Sequence, residues 1–338
     1  MSYLLGTFSK TERALPLKNL NVRTDLSTVT FRLVPTPATS LWGFLGVWIR
    51  ALRPRSFLQV LVPLLYVLLQ PAKPWDPDLA LVMSFGLVLT YGALLLRNDI
   101  QDHLSGFDQM RSDRGSRAIQ SGRLTAADLI RGSWILLALA GVCALFLIFL
   151  RPALAVVFLI AGAIAALILF RREKSFRDLK SGAFALFLLN GPLLFIGLSI
   201  ALYGNVEASI ICAGLLWGWM ILFPLHLRDL ENLIVEGQSG RGSLVGRLGF
   251  DRAQKMIHGW WLVTLISFAA FHFFFGGRLL IWTLFLLVVL LSIRFAAKLQ
   301  FLSSPAGSAV STLRRQGELL FRAMTLLWIL DSLWSLAW

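Results

Sequence analysis

Charged residues are scarce in this sequence of 338 residues, where Asp, Glu, Lys and Arg together make up 15%. Typical soluble domains contain about 25% charged residues, so this composition argues against an ordinary soluble fold. Hydrophobic residues make up 57% of the chain, and its mean hydropathy is +0.72. A balance of this kind is typical of proteins that are embedded in a lipid bilayer.

Cysteine is also rare. The sequence has two, Cys143 and Cys212, and both fall within long apolar stretches. Cysteine in such surroundings usually behaves as a small apolar residue. The sequence therefore predicts neither a disulfide framework nor a cysteine-rich metal site.

Long apolar segments dominate the chain. A membrane-spanning helix needs about 20 mostly apolar residues, and nine segments approach or exceed that length. The predicted spans are 56–72, 78–97, 133–150, 153–170, 182–203, 206–225, 257–275, 279–297 and 318–337. We therefore expect an all-α, polytopic integral membrane protein with nine transmembrane helices, and little chain remains for a soluble domain.

The first 40 residues differ from the rest because they are mixed and polar. They lack the apolar core that follows a basic start in a cleaved signal peptide. We expect residues 1–40 to form a polar cytoplasmic extension and residues 41–338 to form the membrane domain. Leu41–Leu52 has the size and aromatic content of a helix that lies in the membrane interface, although an early start of the first span is an alternative.

The net charge of +14 raises the question of nucleic-acid binding, but the basic residues do not form one patch. They concentrate in the loops after the second, fourth, sixth and eighth predicted spans, whereas the intervening loops carry only Lys73, Arg151 and Arg278. Cytoplasmic loops of membrane proteins are enriched in Lys and Arg. The alternation predicts a cytoplasmic N-terminus, an external C-terminus and an odd number of spans, with no nucleic-acid partner.

Two predicted cytoplasmic loops, 98–125 and 226–251, are both long and rich in carboxylates. At the start of the first, Asn98, Asp99 and Asp102 continue the second helix at spacings that place them on one face. Carboxylates held close together repel, and Mg²⁺ with phosphate oxygens commonly relieves that repulsion. A solvated helix end with ordinary acids is the alternative explanation.

The first polar segment carries the motif N-D-x-x-D, then G-x-D, then R-x-x-Q-S-G. In these motifs the chain resembles the UbiA superfamily of intramembrane prenyltransferases, and within it the dihydroxynaphthoate polyprenyltransferases of menaquinone synthesis. The resemblance runs from about Trp48 to the end of the chain and includes Arg53-Pro54 and Gly191-Pro192. The residues that carry the first motifs are Asn98, Asp99, Asp102, Gly106, Asp108, Arg117, Gln120, Ser121 and Gly122.

The second acidic motif matches that family less closely. Arg228-Asp229-Leu230-Glu231 resembles its R-D-x-E, but the Asp expected four residues after Asp229 is Leu233. An alternative alignment pairs Asp229 with Asn232 and Glu236. One metal ligand is changed in either alignment.

Two further departures concern the menaquinone branch. Leu225-His226 precedes the second motif where that branch often has a pair of Asn residues, and Ala183 stands where it has Glu early in the fifth helix. These departures bear on the quinone-precursor acceptor more than on the class of reaction.

The resemblance implies a helical bundle with a central cavity open to the cytoplasmic side, in a bacterial inner (plasma) membrane. It implies Mg²⁺-dependent transfer of a prenyl group from a polyprenyl diphosphate to a lipophilic, aromatic acceptor, within membrane lipid and in quinone biosynthesis. If the allylic cation were quenched within its own chain, the protein would be a terpene cyclase. If the chemistry had been lost, it would be a non-catalytic protein that binds an isoprenoid or a partner.

The resemblance also implies a role for each polar group. The expected catalytic residues are Asp99, Asp102 and Asp229. The expected Mg²⁺ ligands are Asp99, Asp102, Asp108, Asp229 and Glu236. The expected substrate-binding residues are Asn98, Arg117, Gln120, Ser121, Lys180, His226 and Arg228. We expect Asp99 and Asp102 to face Asp229 across one cavity, because neither cluster alone offers enough oxygens for two hexacoordinate Mg²⁺ ions.

Several of these residues have simpler explanations. Arg117 and Lys180 could serve only topology, Arg228 could only balance Asp229, and Glu231 and Glu236 could be solvated loop acids. His226 could accept a proton from the acceptor or contact phosphate. The other histidines, His103, His258 and His272, are expected at boundaries, and Asp331 is expected to face a protein interior or the far interface. Aromatic residues such as Trp217 and Trp261 are expected in packing or interfacial belts.

Overall fold

The computed structural model describes residues 12–16, 31–35, 40–70, 75–104, 107, 116, 118–119, 124–169, 182–238 and 242–337. Two strands precede a series of helices. The strands are β1 Glu12–Pro16 and β2 Phe31–Pro35. The helices are α1 Leu41–Leu52, α2 Leu58–Leu68, α3 Pro77–Leu104, α4 Ala126–Leu150, α5 Leu154–Leu169, α6 Gly182–Asn190, α7 Pro192–Tyr203, α8 Ala208–Gln238, α9 Leu244–Leu248, α10 Phe250–Phe275, α11 Leu279–Gln300 and α12 Ser308–Ala337. A 3₁₀ turn, Pro54–Phe57, lies between α1 and α2.

The two strands lie within the predicted polar extension and pair antiparallel, with Glu12 opposite Pro35 and Pro16 opposite Phe31. The all-α expectation holds for the described helices of the membrane domain, and these two strands are the exception to it. Strands of five residues are too short for their alternation to stand out within a polar segment. The domain boundary after residue 40 stays a prediction, although α1 begins at Leu41.

Helices lie at each of the nine predicted spans within the described part of the chain. Six spans are long and apolar enough to cross a bilayer, with α6 and α7 counted together, and α1 with Pro54–Leu68 would make a seventh. Of the remaining two, α5 offers only a shorter apolar stretch, and the first half of α12 is rich in charged residues. The chain is an integral membrane protein, and the count of nine spans stays a prediction.

A sharp bend separates α1 from the helix that follows it. Ser40 caps α1 by accepting a hydrogen bond from the Gly43 N–H at 3.2 Å. Arg53 ends the helix in a left-handed conformation, with φ 51° and ψ 69°, and a following proline such as Pro54 disfavours the helical conformation. The axes on either side differ by 43°. A separate helix at Leu41–Leu52 is confirmed, while its depth in the membrane stays a prediction.

Helix α8 lies at the centre of the bundle. It packs against α2, α6, α7, α9, α10 and α12. Within its most apolar stretch 61% of the residues are buried, compared with 17% for α4. A polar side chain on α8 is thus held among other helices rather than in lipid.

The break between α6 and α7 permits close packing on α8. Gly191 separates the two helices, and Pro192 occupies the first turn of α7, where its missing N–H is tolerated. A Cβ atom on Gly191 would lie 2.5 Å from the Phe187 carbonyl oxygen and 2.7 Å from that of Gly214. Glycine is therefore required here because two helices approach it at the level of the backbone.

Candidate active site

The second polar segment is helical over its first half. Helix α8 extends to Gln238, whereas the predicted span ended at residue 225 and a loop was expected over 226–251. That expectation is wrong because Leu227 and Leu230 continue the helical spacing of apolar residues and are buried in the core. The acidic residues of this segment therefore sit on a rigid element.

Asp99 is buried near the C-terminal end of α3, with 2% of its surface exposed. Its carboxylate forms an ion pair with the Arg53 guanidinium and accepts a hydrogen bond from the Ser116 hydroxyl. A buried carboxylate is unfavourable without a compensating charge and hydrogen bonds. Arg53 thus supplies positive charge at the end of α3.

Asp102 lies one helical turn beyond Asn98 and is also buried. The Asn98 side-chain N–H donates to Asp102 Oδ2 at 3.2 Å, which confirms that the two share a face of α3. A fully solvated helix end is excluded for Asp99 and Asp102, because both are buried. Their participation in metal binding stays a prediction.

A second row of polar side chains follows one side of α8. His226, Asp229, Asn232 and Glu236 are all buried, and their spacings of three, three and four residues align them along the helix. Glu236 accepts a hydrogen bond from the hydroxyl of Ser243, the residue that caps α9. The carboxylate and amide oxygens in this row are hard donors of the kind that Mg²⁺ prefers.

The environment of this row distinguishes the two alignments of the second motif. Asn232 is buried, and its Oδ1 has no hydrogen-bond partner among the described residues. Leu233, by contrast, packs against the apolar core. A buried amide oxygen is unfavourable unless a ligand or water satisfies it. The structure therefore favours the alignment of Asp229 with Asn232 and Glu236.

Neither glutamate of the segment is a solvated loop acid. Glu231 Oε2 lies 2.8 Å from Arg314 Nε, in an ion pair that joins α8 to α12. Two residues correspond to about 200° around a helix, so Glu231 lies across α8 from Asp229. Glu231 holds α8 against α12, whereas Glu236 belongs to the polar row. Arg228 is half-buried, and its role in substrate binding stays a prediction.

An open pocket lies beside Asp229. Its lining consists of Ala183 and Leu186 from α6, Leu225, His226 and Asp229 from α8, and Leu244 from α9. Four of the six lining residues are apolar, and the other two supply one carboxylate and one imidazole. The residues that depart from the menaquinone branch, Ala183 and Leu225-His226, all line this pocket. Those departures therefore change the walls of a cavity next to the acidic row.

The two acidic clusters lie at the same end of the bundle. The Arg53–Asp99 pair places the end of α3 beside the start of α2. Near the other end of α2, the Tyr203 hydroxyl donates to the Val67 carbonyl at 2.7 Å, so α7 ends there and α8 begins nearby. Asp229 lies 21 residues along α8 from its start, about 31 Å at the helical rise, which returns it to the end that holds Asp99. This arrangement supports the predicted facing clusters, and their separation stays a prediction.

The oxygen donors on α3 and α8 are of the kind that suits Mg²⁺. Within the described ranges no three His, Cys, Asp or Glu side chains come together as a metal site. The candidate ligands are buried carboxylate oxygens on α3 and α8 and the amide oxygen of Asn232, which has no hydrogen-bond partner among the described residues. All of them are hard donors. The expected site residues that lie outside the described part of the chain are Asp108, Arg117, Gln120, Ser121 and Lys180.

Three neighbours of the carboxylates were not expected from the sequence as site residues. They are Arg53 and Ser116, which contact Asp99, and Ser243, which contacts Glu236. The Arg53-Pro54 match was a signal for the first. Ser116 had no signal, since a hydroxyl that hydrogen-bonds a carboxylate has no required spacing.

Two of the histidines expected at boundaries make polar contacts to neighbouring helices. The ring nitrogens of His258 lie 2.9 and 2.8 Å from the carbonyl oxygens of Gln254 and Ala296. His272 is buried, and its Nδ1 lies 3.0 Å from Asp331 Oδ2. Asp331 therefore contacts the protein interior, one of the two environments expected for it.

No protein-family model and no curated protein matches the sequence. Solved structures do resemble its fold. A structure of digeranylgeranylglyceryl phosphate synthase matches with a TM-score of 0.62 and 17% identity, over 86% of this chain and 99% of that one. A UbiA homolog from Archaeoglobus fulgidus bound to GPP and Mg²⁺ matches with a TM-score of 0.56 and 15% identity, over 83% of this chain and 99% of that one. The same homolog bound to DMAPP and Mg²⁺ matches with a TM-score of 0.57 and 15% identity, over 83% of this chain and 98% of that one. The chain therefore has the fold of UbiA-type structures, and its resemblance to the menaquinone branch stays a prediction.

Proposed function

We propose that this protein is a Mg²⁺-dependent prenyltransferase that transfers a prenyl group from a polyprenyl diphosphate to a lipophilic, aromatic acceptor. The observation that carries the proposal is the presence of two buried acidic rows, on α3 and α8, at one end of a UbiA-type bundle. A diphosphate with its metal ions requires such a polar end, whereas an isoprenoid tail requires the apolar interior. The A. fulgidus structures contain GPP or DMAPP with Mg²⁺, and we extend that ligand chemistry to this chain.

The proposed ligands come from both rows. When bound, Mg²⁺ would neutralise charge that develops on the departing diphosphate. Arg53 already pairs with Asp99 and would be released toward phosphate once a cation bound that carboxylate. The residues proposed to hold the metal ions are Asp99, Asp102, Asp108, Asp229, Asn232 and Glu236. Those proposed to bind the diphosphate are Asn98, Arg117, Gln120, Ser121, Lys180 and Arg228.

In the proposed reaction the allylic C–O bond of the donor breaks, and its electron pair leaves with the diphosphate oxygen. An electron-rich carbon of the acceptor attacks the allylic cation, and the new C–C bond forms. A proton then leaves that carbon. His226 lines the pocket beside Asp229 and would accept the proton, because imidazole titrates near neutral pH.

The acceptor and the cellular setting are finer parts of the proposal. The first motif resembles that of enzymes that prenylate a quinone precursor, which supports an acceptor of that class. Ala183 and His226, which line the pocket, differ from the residues of the menaquinone branch at these positions. The alternation of basic loops supports a cytoplasmic location for the acidic end, in a bacterial inner membrane with membrane lipid around the bundle.

The proposal is tested by incubating the purified protein with Mg²⁺, prenyl diphosphates of several lengths and a membrane lipid extract, followed by mass spectrometry. We expect a product that carries an added prenyl chain on an aromatic ring, and diphosphate release that Asp102→Asn abolishes. A cyclic hydrocarbon or alcohol would identify a terpene cyclase instead. Binding of donor without diphosphate release would identify a non-catalytic isoprenoid-binding protein.

A further inference from the structure

Arg97 on α3 carries two buried N–H groups that have no hydrogen-bond partner among the described residues. They belong to Nε and Nη2, which lie side by side on one edge of the planar guanidinium. Two parallel hydrogen bonds from such an edge bind a phosphate or a carboxylate. A buried donor is unfavourable unless a ligand or water satisfies it. Arg97 therefore presents an oxyanion-binding edge that the described part of the protein does not use.

This edge does not belong to the acidic row of α3. Asp99 and Asp102 follow Arg97 by two and five residues, which places them about 200° and 140° further around the helix. The Arg97 guanidinium instead lies over the ring of Trp134 on α4, with its central carbon 4.7 Å from the ring centroid. A cation–π contact of this kind orients the guanidinium and leaves its edge free for an anion. The diphosphate proposed at the acidic row is therefore not the ligand that this edge fits.

Trp134 lies on an outer flank of α4, where its side chain is 55% exposed. Helix α1 covers the opposite flank, since a Cβ atom on Gly132, two residues earlier, would lie 2.6 Å from the Trp48 ring. Arg131, one turn before Trp134, is also exposed. In an integral membrane protein this uncovered flank faces lipid, so the occupant of the Arg97 edge would approach from the bilayer.

The two arginines lie at the level of the lipid headgroups. Residues 79–96 of α3 and 132–150 of α4 carry no charged side chain, and these runs are about 27 and 29 Å long at the helical rise. The hydrocarbon core of a bilayer is about 30 Å thick. Arg97 directly follows the first run and Arg131 directly precedes the second, both at the acidic end. Tryptophan is also common at this depth.

We propose that Arg97, Trp134 and Arg131 form a binding site for the phosphate of an anionic membrane lipid on the outer face of α3 and α4. Charge complementarity supports this occupant, because both arginines lie at headgroup depth and Asp128, the acid nearest to Arg131 along α4, accepts a hydrogen bond from the Thr125 N–H at 2.8 Å as part of the helix cap. The phosphate would accept two hydrogen bonds from Arg97, and the acyl chains would lie along the exposed flank of α4. The site is separate from the proposed prenyltransferase centre and does not depend on it.

The test measures binding of phosphatidylglycerol to the purified protein in nonionic detergent by native mass spectrometry. Diacylglycerol, which has the same tails without phosphate, and inorganic phosphate are added as competitors, and neither should displace the lipid. We expect Arg97→Gln to weaken binding by about tenfold, because two charge-assisted hydrogen bonds are lost. Arg97→Lys should recover only part of that loss, because an ammonium group cannot bind phosphate through two parallel hydrogen bonds.

Arg294→Gln is the matched control, since Arg294 is exposed on α11 and its replacement removes the same charge. It should leave phosphatidylglycerol binding unchanged. If Arg97→Gln does not fold, Trp134→Leu at its exposed position replaces it and should weaken binding by about threefold through loss of the cation–π contact. Unchanged binding in the variant used, an equal loss in Arg294→Gln, or displacement of the lipid by either competitor would overturn the proposal.

Discussion

The ion pair between Arg53 and Asp99 allows the charge of the candidate site to be tested without changing any proposed metal ligand. Removing one partner of a buried ion pair destabilises a protein by about 3–5 kcal/mol, because the other charge remains buried. The Arg53 side chain is 25% exposed, and Ser116 still donates to Asp99. For Arg53→Gln we therefore expect a smaller loss of about 2 kcal/mol in unfolding free energy, or about 3 °C in Tm for a chain of this length.

Mg²⁺ should reverse much of this loss. In the wild type a cation that binds Asp99 must displace the Arg53 guanidinium, whereas in Arg53→Gln that competition is absent. A ligand at one hundred times its Kd stabilises the folded state by about 2.7 kcal/mol. Saturating Mg²⁺ should therefore raise the Tm of Arg53→Gln by several degrees more than it raises the Tm of the wild type.

Thermal unfolding in detergent, followed by near-UV circular dichroism with and without Mg²⁺, measures both effects. Arg55→Gln is the matched control, since Arg55 lies two residues further on and is exposed. It removes the same charge and should leave both Tm values within about 1 °C of the wild type, as surface substitutions usually do. The reasoning would be refuted if Arg53→Gln unfolded like Arg55→Gln, or if Mg²⁺ stabilised both variants equally.

Three further predictions test other parts of the structure. Asn232→Asp should lower the Mg²⁺ concentration for half-maximal diphosphate release by about tenfold, because it adds a charged ligand. Leu233→Asp should only destabilise the fold. If Leu233→Asp alone lowered that Mg²⁺ concentration, the result would support the other alignment. Gly191→Ala should lower the free energy of unfolding by about 1–3 kcal/mol in denaturant titrations, because its Cβ meets backbone atoms. Gly259→Ala is the control and should change that free energy little, because its Cβ meets nothing within 4 Å. Equal stability of the two variants would show that α6 and α7 can move apart. A cysteine at Gln238 should react with impermeant reagents only from the cytoplasmic side. Labelling from outside would show that the predicted topology is inverted.

The membrane character and the first acidic cluster could be predicted from the sequence because both depend on local patterns. Apolar runs longer than a bilayer are visible without any tertiary information. The spacing of Asn98, Asp99 and Asp102 places them on one helical face wherever that helix lies. The second cluster was recognised as acidic, but the helix that carries it was predicted to end at residue 225 instead of Gln238. Charged residues lower the mean hydropathy of a segment even where the helix continues inside a protein.

Partners that are distant in the chain could not be predicted in this way. Arg53 meets Asp99 across 46 residues because the turn between α1 and α2 lies beside the end of α3, and Glu231 pairs with Arg314 because α12 packs on α8. No spacing rule links such pairs. Which of Asn232 and Leu233 faces the acidic row was likewise open until their surroundings were known.

The sequence by itself determined that this chain lies in a membrane, where its helices fall and which segments concentrate acids, since hydrophobicity and helical period are properties of neighbouring residues. The tertiary structure alone decided that α8 is central, that both acidic rows share one end of the bundle, and that Trp217 stacks on Trp328 and His272 pairs with Asp331. These features arise when separate helices bury their apolar faces against one another, and that packing brings together residues with no relation in sequence.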